Sequence, residues 1–378
     1  MKKTSIPVNI PKLDGNEAKY LHEAITTGWI SSEGPFVKLF EESFAQRHGR
    51  KHAIAVSSGT AALHCAVNAL DLSAGDEVII PTFTIISCVT SVIENGGTPV
   101  LVDCDPQTFN SSTEQILAAI TSKTKAIMMV HIYGLPVDAD PVIDKAKDLG
   151  IKIIEDTAEV IGLDYKDRPC GALGDISVFS FYPNKHVTTG EGGMILTNDD
   201  HVAKLCKGSR NLGFIESKRF YHNRIGWNFR MTNIQAALGV AQLEKLDETI
   251  DLKRNIGKKY NKLLRDSPFI QLPVEKTTYA ENIYWVYPIV LIENCPINAK
   301  EMMETLKRKR IGTRPFFYPM HKQPVFSKMG LFRNDIHPNS ENIAEKGFYI
   351  PAGLGIQDDE ITFVAETLTE ILESFLNL

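Results

Sequence analysis

The sequence predicts an α/β protein: a parallel sheet covered by helices on both faces, followed by a smaller α+β domain. Three observations carry this. From residue 52 onward, apolar runs of four or five residues alternate with helical stretches of about ten, the pattern of βαβ units. The chain has 378 residues, 43% hydrophobic and 23% charged, enough for a sizeable core in one large domain or two. Near residue 250 the alternation gives way to a lysine-rich helical stretch and then to mixed elements.

Taken in order, Glu17 to Ala24 reads as a helix ending near Gly28, and Trp29 to Pro35 as a loop rich in turn formers. Strands follow at His52 to Val56, Glu77 to Ile80, Pro99 to Val102, Ala126 to Val130, Lys152 to Glu155 and Ile176 to Phe181. Between the first five lie helices at Thr60 to Leu70, Thr84 to Glu94, Ser112 to Ile120 and Pro141 to Leu149. Helices at Thr232 to Leu246 and Ile250 to Leu264 come next. A strand at Trp285 to Leu291 and helices at Ala299 to Lys309 and Asp358 to Phe375 complete the chain. The expected division is a large domain over 1–250, including the N-terminal segment, and a small one over 251–378.

Composition excludes several function classes. A net charge of -5 offers no global attraction to nucleic acid, although a local cluster of donors could still bind a small anion. The cysteines at 65, 88, 104, 170, 206 and 295 form no Cys-x-x-Cys pair, so neither a zinc site nor a disulfide framework is expected, and no other metal site is read. Met1 to Val8 carries two lysines but no apolar run, unlike a signal peptide, and no stretch of about 18 apolar residues suggests a membrane span. A reducing cytoplasm is the expected location.

In an open parallel sheet, ligands sit beyond the carboxyl ends of the strands. Three turns there carry chemistry. Ser57-Ser58-Gly59-Thr60 opens a helix with small residues and is either an anion site or simply a good N-cap. Glu155-Asp156-Thr157-Ala158-Glu159 puts carboxylates at a buried strand end, where they need a positive partner, unless the aspartate only caps a helix. Ser180 to Gly193 holds Lys185 between a strand and the glycines 190, 192 and 193, which let the chain turn and begin its next strand. A phosphate held by Ser180 with Gly59 and Thr60, a ring nitrogen held by Asp156, and an aldehyde condensed with Lys185 would together bind pyridoxal 5'-phosphate.

These motifs resemble the nucleotide-sugar aminotransferases of the DegT/DnrJ/EryC1/StrS type, within aminotransferase fold type I. The resemblance runs over nearly the whole chain. It rests on Trp29-Ile30-Ser31-Ser32, Ser58 to Leu63, Gly75 to Ile79, Glu155-Asp156, Ser180 to Gly193, Asn228 to Asn233 and Thr313 to Pro319. It implies a mixed, mostly parallel seven-stranded sheet with helices on both faces and a small C-terminal α+β domain. By resemblance, Lys185 is the covalent and catalytic lysine, Asp156 the pyridinium partner, and Glu159 a neighbour of the ring oxygen. Ser180, Gly59 and Thr60 hold the phosphate, joined by Asn228 from the second subunit of a homodimer with shared active sites. Trp29, Ser31, Arg230, Arg314 and His321 are the expected substrate contacts; for His131, His186 and His321 a structural reading stands beside this, since a histidine beside a strand end is more often a satisfied structural group than a catalyst. Ile85 stands where the family usually has an aromatic residue stacked on the ring, and Phe83 is a candidate to compensate.

The implied reaction is a ping-pong transfer of an amino group from L-glutamate to a nucleotide-linked 4-keto-6-deoxy sugar, with uridine- or thymidine-diphosphate-linked 3-keto or 4-keto sugars as alternatives. Lys185 would move the proton in each half. Two rival classes share the fold. The related keto-sugar dehydratases carry histidine in place of this lysine. A regulatory module fused to a DNA-binding domain would need an additional helix-turn-helix, and none is evident in the roughly 50 residues before the sheet.

Overall fold

The computed structural model describes residues 5–215, 218–222 and 224–374. Its organising layer is a seven-stranded sheet of β1 (His52–Val56), β2 (Glu77–Pro81), β3 (Thr98–Val102), β4 (Thr124–Val130), β5 (Lys152–Asp156), β6 (Ile176–Ser180) and β7 (Gly193–Thr197). The strand order is β1-β7-β6-β5-β4-β2-β3. The pairs β2/β3, β2/β4, β4/β5 and β5/β6 are parallel, while β7 runs antiparallel to both β1 and β6. The residue pattern alone suggested a wholly parallel sheet, so β7 is the difference. Its cause is local: the Phe181–Gly192 connection contains no helix, and a parallel return needs a crossover of a dozen or more residues, usually helical. The chain therefore doubles back.

Strand residues alternate between two apolar layers. Ala53, Ile127, Met129, Ile153, Phe179 and Leu196 face one core, and Ile54, Ala126, Met128, Ile154, Val178 and Ile195 face the other. This is the period of two expected of strands buried on both faces. Helices α1 (Glu17–Thr26), α2 (Pro35–Arg47), α3 (Gly59–Asn68), α4 (Ile86–Glu94), α5 (Thr113–Ala118), α6 (Asp140–Leu149), α7 (Asp200–Arg210), α8 (Asn233–Glu244) and α9 (Leu246–Leu264) accompany the sheet. Of these, α2 and α7 lie beyond the expected set. The α2 sequence has Pro35 at its first turn and buries Phe36, Val37, Phe40 and Phe44, an apolar stripe at helical spacing.

The C-terminal part is an antiparallel four-stranded sheet in the order Ile270–Gln271, Tyr287–Leu291, Gly347–Ile350, Arg314–Pro315. It shares a core with α9 and the helix Asp358–Glu373, built from residues such as Tyr260, Ile289, Phe348 and Leu368; Phe375, the expected end of that helix, lies outside the described residues. Helix α9 runs unbroken across residue 250, with Ile250 in the large core and Ile256 and Leu264 in the small one. The N-terminal segment lies along this smaller part: the Ile6 N–H donates to the Arg310 carbonyl, and the Val8 carbonyl accepts from the Ala352 N–H. Among the described residues, no helix is long and apolar enough to cross a membrane.

Candidate active site

Because β5 and β6 are parallel neighbours, the turns leaving their carboxyl ends meet on one edge of the sheet. There the Lys185 Nζ lies 3.6 Å from Glu159 Oε1 and 3.7 Å from the centroid of the Trp285 ring. Burial pushes the Lys185 amine below the usual lysine range, opposed by the charges of Glu159 and Asp156. Glu159, itself buried, accepts a hydrogen bond from the Tyr133 N–H at 2.9 Å. Burial raises its carboxyl to about 7, with Lys185 and that N–H opposing.

Asp156 ends β5 and is 4% exposed. Its Oδ1 accepts from the Ala158 N–H at 3.1 Å, and the Cys88 thiol donates to Oδ2 at 3.6 Å. Burial raises its pKa even though the Ala158 N–H, Lys185 and Cys88 all pull it down. Among the described residues no cation forms an ion pair with this carboxylate.

The expected phosphate site lies at the start of α3. Ser58 caps the helix by accepting from the Ala61 N–H, and its carbonyl accepts from the Ala62 N–H, leaving the amides of Gly59 and Thr60 as the free donors of the first turn. A Cβ on Gly59 would stand 2.7 Å from the Ser180 Cβ, so only glycine permits the helix start and the end of β6 to meet. Thr60 is tied to Ser87, at the start of α4, by a hydroxyl contact of 2.8 Å. Ile85, the residue before α4, is 46% exposed. Phe83 is fully buried, with its ring against Tyr133, Phe316 and Phe317, and so is not free to stack on a ligand in its place.

The remaining candidates fall into separate places. Trp29, Ser31 and Arg230 line a groove of about 1260 Å³ that also takes in Arg210, Asn211 and Phe214. Arg230 is hydrogen-bonded to Asn211, whose backbone bridges that of the exposed Asn228. This extended segment runs beside the end of β1, where the Ser57 N–H donates to the Phe229 carbonyl at 2.8 Å. Arg314, exposed, pairs across the small sheet with Tyr349, whose ring is 6.4 Å from that of Trp285. His321 is buried, with Nδ1 2.7 Å from the Thr82 hydroxyl and Nε2 2.9 Å from Glu341.

His131, Glu155 and Cys170 come close enough together to suggest metal ligation, but their hydrogen bonds explain the cluster. The His131 Nδ1 accepts from the Val137 N–H, which leaves Nε2 to donate to Glu155. His186 is buried against the Ile283 carbonyl, and burial first, then Lys253, lowers it to about 3, so it is neutral.

Pyridoxal 5'-phosphate fits these residues on three counts. Asp156 lacks a cation that a protonated ring nitrogen would supply. The first turn of α3 leaves the Gly59 and Thr60 amides without a helical acceptor, beside Ser180, as donors for an anion. The buried Asn184 Oδ1, next in sequence to Lys185, and Trp285 Nε1, on the ring that the Lys185 amine overlies, have no partner among the described residues. Fold and site thus define a pyridoxal 5'-phosphate-dependent aminotransferase.

The sequence profile of the DegT/DnrJ/EryC1/StrS aminotransferase family matches residues 11–369. The chain belongs to that family. It is 41% identical over 368 residues to a GDP-perosamine synthase of Caulobacter vibrioides, covering 97% of this chain and 98% of the relative. To the GDP-perosamine synthase of Vibrio cholerae it is 39% identical over 356 residues, covering 94% and 96%. Helicobacter pylori PseC, an aminotransferase involved in the biosynthesis of pseudoaminic acid, superposes with a TM-score of 0.93 over 98% of this chain and 100% of that one, at 24% identity, a likeness of fold.

Trp285, Cys88 and the Tyr133 N–H escaped the sequence reading. Trp285 stands at the start of an expected strand with nothing to mark it. Cys88 reads as one more buried thiol, and a backbone donor carries no sequence signal at all.

Proposed function

We propose that this enzyme transfers an amino group from L-glutamate to GDP-4-keto-6-deoxy-D-mannose, giving GDP-perosamine. At the coarser level it is an aminotransferase of nucleotide-linked sugars, related to the GDP-perosamine synthases. The observation that carries the reaction type is the pairing of a desolvated Lys185 amine with Glu159, beside an Asp156 carboxylate in want of a cation. The identity of about two residues in five to proteins named for that product supports the substrate.

Bound here, pyridoxal 5'-phosphate supplies an electron-accepting ring that stores the amino group between the two halves of the reaction. Asp156 would hold the ring nitrogen and keep it protonated, an interaction worth on the order of 1.4 to 4 kcal/mol from an opposite charge at close range. The amides of Gly59 and Thr60 with the Ser180 hydroxyl orient the phosphate, and Ile85 covers the ring with an aliphatic face. Lys185 would hold the cofactor covalently, and its amine, when free, would serve as the base and acid that moves the proton at the reacting carbon. Its lowered basicity matters because an amine that gives up its proton more readily is better suited to accept and return one during the reaction. Glu159, within reach of the Lys185 Nζ, steadies its charged form.

Trp29, Ser31, Arg230 and Arg314 are assigned to the nucleotide sugar, the arginines to its diphosphate. His321 is the weakest member of that set, since both ring nitrogens are engaged. The homodimer and the reach of Asn228 to the other subunit's phosphate belong to the same proposal, as does a cytoplasmic site of action. The exposed Trp29, Ile30, Leu212 and Ile225 around one groove support the dimer. The test is a panel of guanosine-, uridine- and thymidine-diphosphate-linked 3-keto and 4-keto sugars with L-glutamate, scored by product mass. Amination of the guanosine-linked 4-keto sugar is expected; amination of a thymidine- or uridine-linked sugar alone would overturn the substrate.

A further inference from the structure

Two buried features are given no role in the proposed reaction. One is the ring of Trp285, on whose face the Lys185 ammonium sits while the indole Nε1 has no hydrogen-bond partner among the described residues. The other is Lys253 on α9, 4% exposed, whose Nζ donates to the carbonyls of Trp285 at 2.9 Å and Ala352 at 2.6 Å. Among the described residues no carboxylate pairs with it. A buried ammonium that meets only carbonyl oxygens is costly to keep.

We propose that the Trp285 face is the seat Lys185 occupies whenever it is not bonded to the cofactor, and that Lys253 is the positioning residue that fixes this seat. The inference rests on Lys185 being the cofactor lysine. In a ping-pong cycle that lysine is free during part of each turnover and must stay aimed at the reacting carbon. An indole face is the best aromatic surface for a cation, and here it offers the amine a place without consuming its donors. With Nε1 unpaired, the ring owes its placement to packing against Tyr133 and Tyr349, centroids 5.8 and 6.4 Å away, and to its backbone. Lys253 grips that backbone and ties it to Ala352, whose N–H in turn bonds the Val8 carbonyl of the N-terminal segment.

The charged and titratable groups around the seat act in known directions. Glu159 and Asp156, from the turn after β5, favour the Lys185 cation against burial. Tyr133 and Tyr349 flank the ring, and Lys253 lies behind it, near His186, which also feels Arg254. Burial lowers Lys253 to about 7, and in either protonation state it still has hydrogens for both carbonyls. The π face adds to the side of Glu159 and Asp156.

The test reads Lys185 in the full chain freed of cofactor, by trace labelling with acetic anhydride from neutral to alkaline pH and mass spectrometry of the Lys185 peptide. Trp285→Leu is expected to move the reactivity profile of Lys185 to lower pH by about half a unit or more, because the face that favours the cation is gone. Trp285→Phe should restore most of the shift. Lys253→Met should move the profile the same way by a smaller amount, since the seat loosens. A role through charge alone predicts the opposite, because removing a like charge favours the Lys185 cation. Coincident profiles for the wild type and a folded Trp285→Leu overturn the seat, and an upward shift in Lys253→Met overturns the positioning role. A second measurement needs no change at 285: the indole emission of wild type should carry a pH-dependent component that Lys185→Met removes, and identical titrations overturn the proposal. Lys185→Ala tests the cofactor assignment by itself, through turnover of the cofactor-loaded enzyme, so the two failures are distinguishable.

Discussion

Glu155 and Asp156 are adjacent carboxylates at the end of one strand, both buried, and the fold treats them in opposite ways. Glu155 receives the N–H groups of Gly171, Leu173 and Gly174, the Ser177 hydroxyl and the His131 ring. Burial alone would raise it, yet the His131 bond and charge and the N–H groups of Gly171 and Gly174 hold it down at about 2. On the other side of the strand, Asp156 has one N–H and one thiol, and burial wins. Supplying donors to one and withholding them from the other separates a structural anchor from a binding group. Burial of a carboxylate therefore says little until its donors are counted.

That contrast can be broken from the Asp156 side first. Asp156→Asn keeps the shape and the Ala158 bond but removes the charge, and kcat is expected to fall on the order of a hundredfold or more, with folding intact. The check is single-turnover kinetics of each half-reaction at saturating cofactor. A variant within a few-fold of wild type would mean that the carboxylate does not hold the ring.

How much of this contrast was legible in the sequence differs between its parts. Asp156, Glu159 and Lys185 could be singled out because charged groups at apolar strand ends are costly and ask for partners. Most of the sheet was legible too, since β1 to β5 are short apolar runs separated by helices and β6 is a further apolar run before Lys185. The direction of β7 was not visible in the residue pattern, because it depends on what the Phe181–Gly192 connection lacks. Helix α2 carried its stripe of Phe36, Phe40 and Phe44 in plain view, but the turn formers before Pro35 masked its start. The donors that distinguish Glu155 from Asp156 are mostly backbone amides of 171–174, brought in by tertiary structure. Trp285 meets Lys185 from a distant part of the chain, with Lys253 bonded to its carbonyl, and no local pattern announces such a meeting.

Glu155→Gln approaches the comparison from the other side. One amide oxygen cannot satisfy the donors that two carboxylate oxygens do, so a stability loss of about 2 to 3 kcal/mol is expected at neutral pH. The folded-state pKa of Glu155 is depressed, so its contribution is full above the unfolded value of about 4.3 and is lost as pH falls toward about 2. Denaturant melts at pH 7 and pH 3 should therefore show the deficit shrinking in acid. A deficit that is the same at both would place the loss in packing rather than charge.

The smallest effect belongs to Glu159. Its folded pKa is raised to about 7, so in the cofactor-free chain the ionised form costs stability above the unfolded value of about 4.3, and that cost disappears below it. Glu159→Gln should then stabilise the cofactor-free protein at pH 8 by about 1 kcal/mol, with no gain at pH 4. Thermal melts at the two pH values check it. Destabilisation at pH 8 would show that the Lys185–Glu159 pair outweighs its burial.

The most direct measurement of the whole account is chemical. Enzyme loaded with pyridoxal 5'-phosphate is reduced with borohydride, digested and mapped by mass spectrometry. The label is expected on Lys185 in wild type, with occupancy reduced in Asp156→Asn at limiting cofactor. A label on any other lysine, with Lys185 unmodified, would contradict the account.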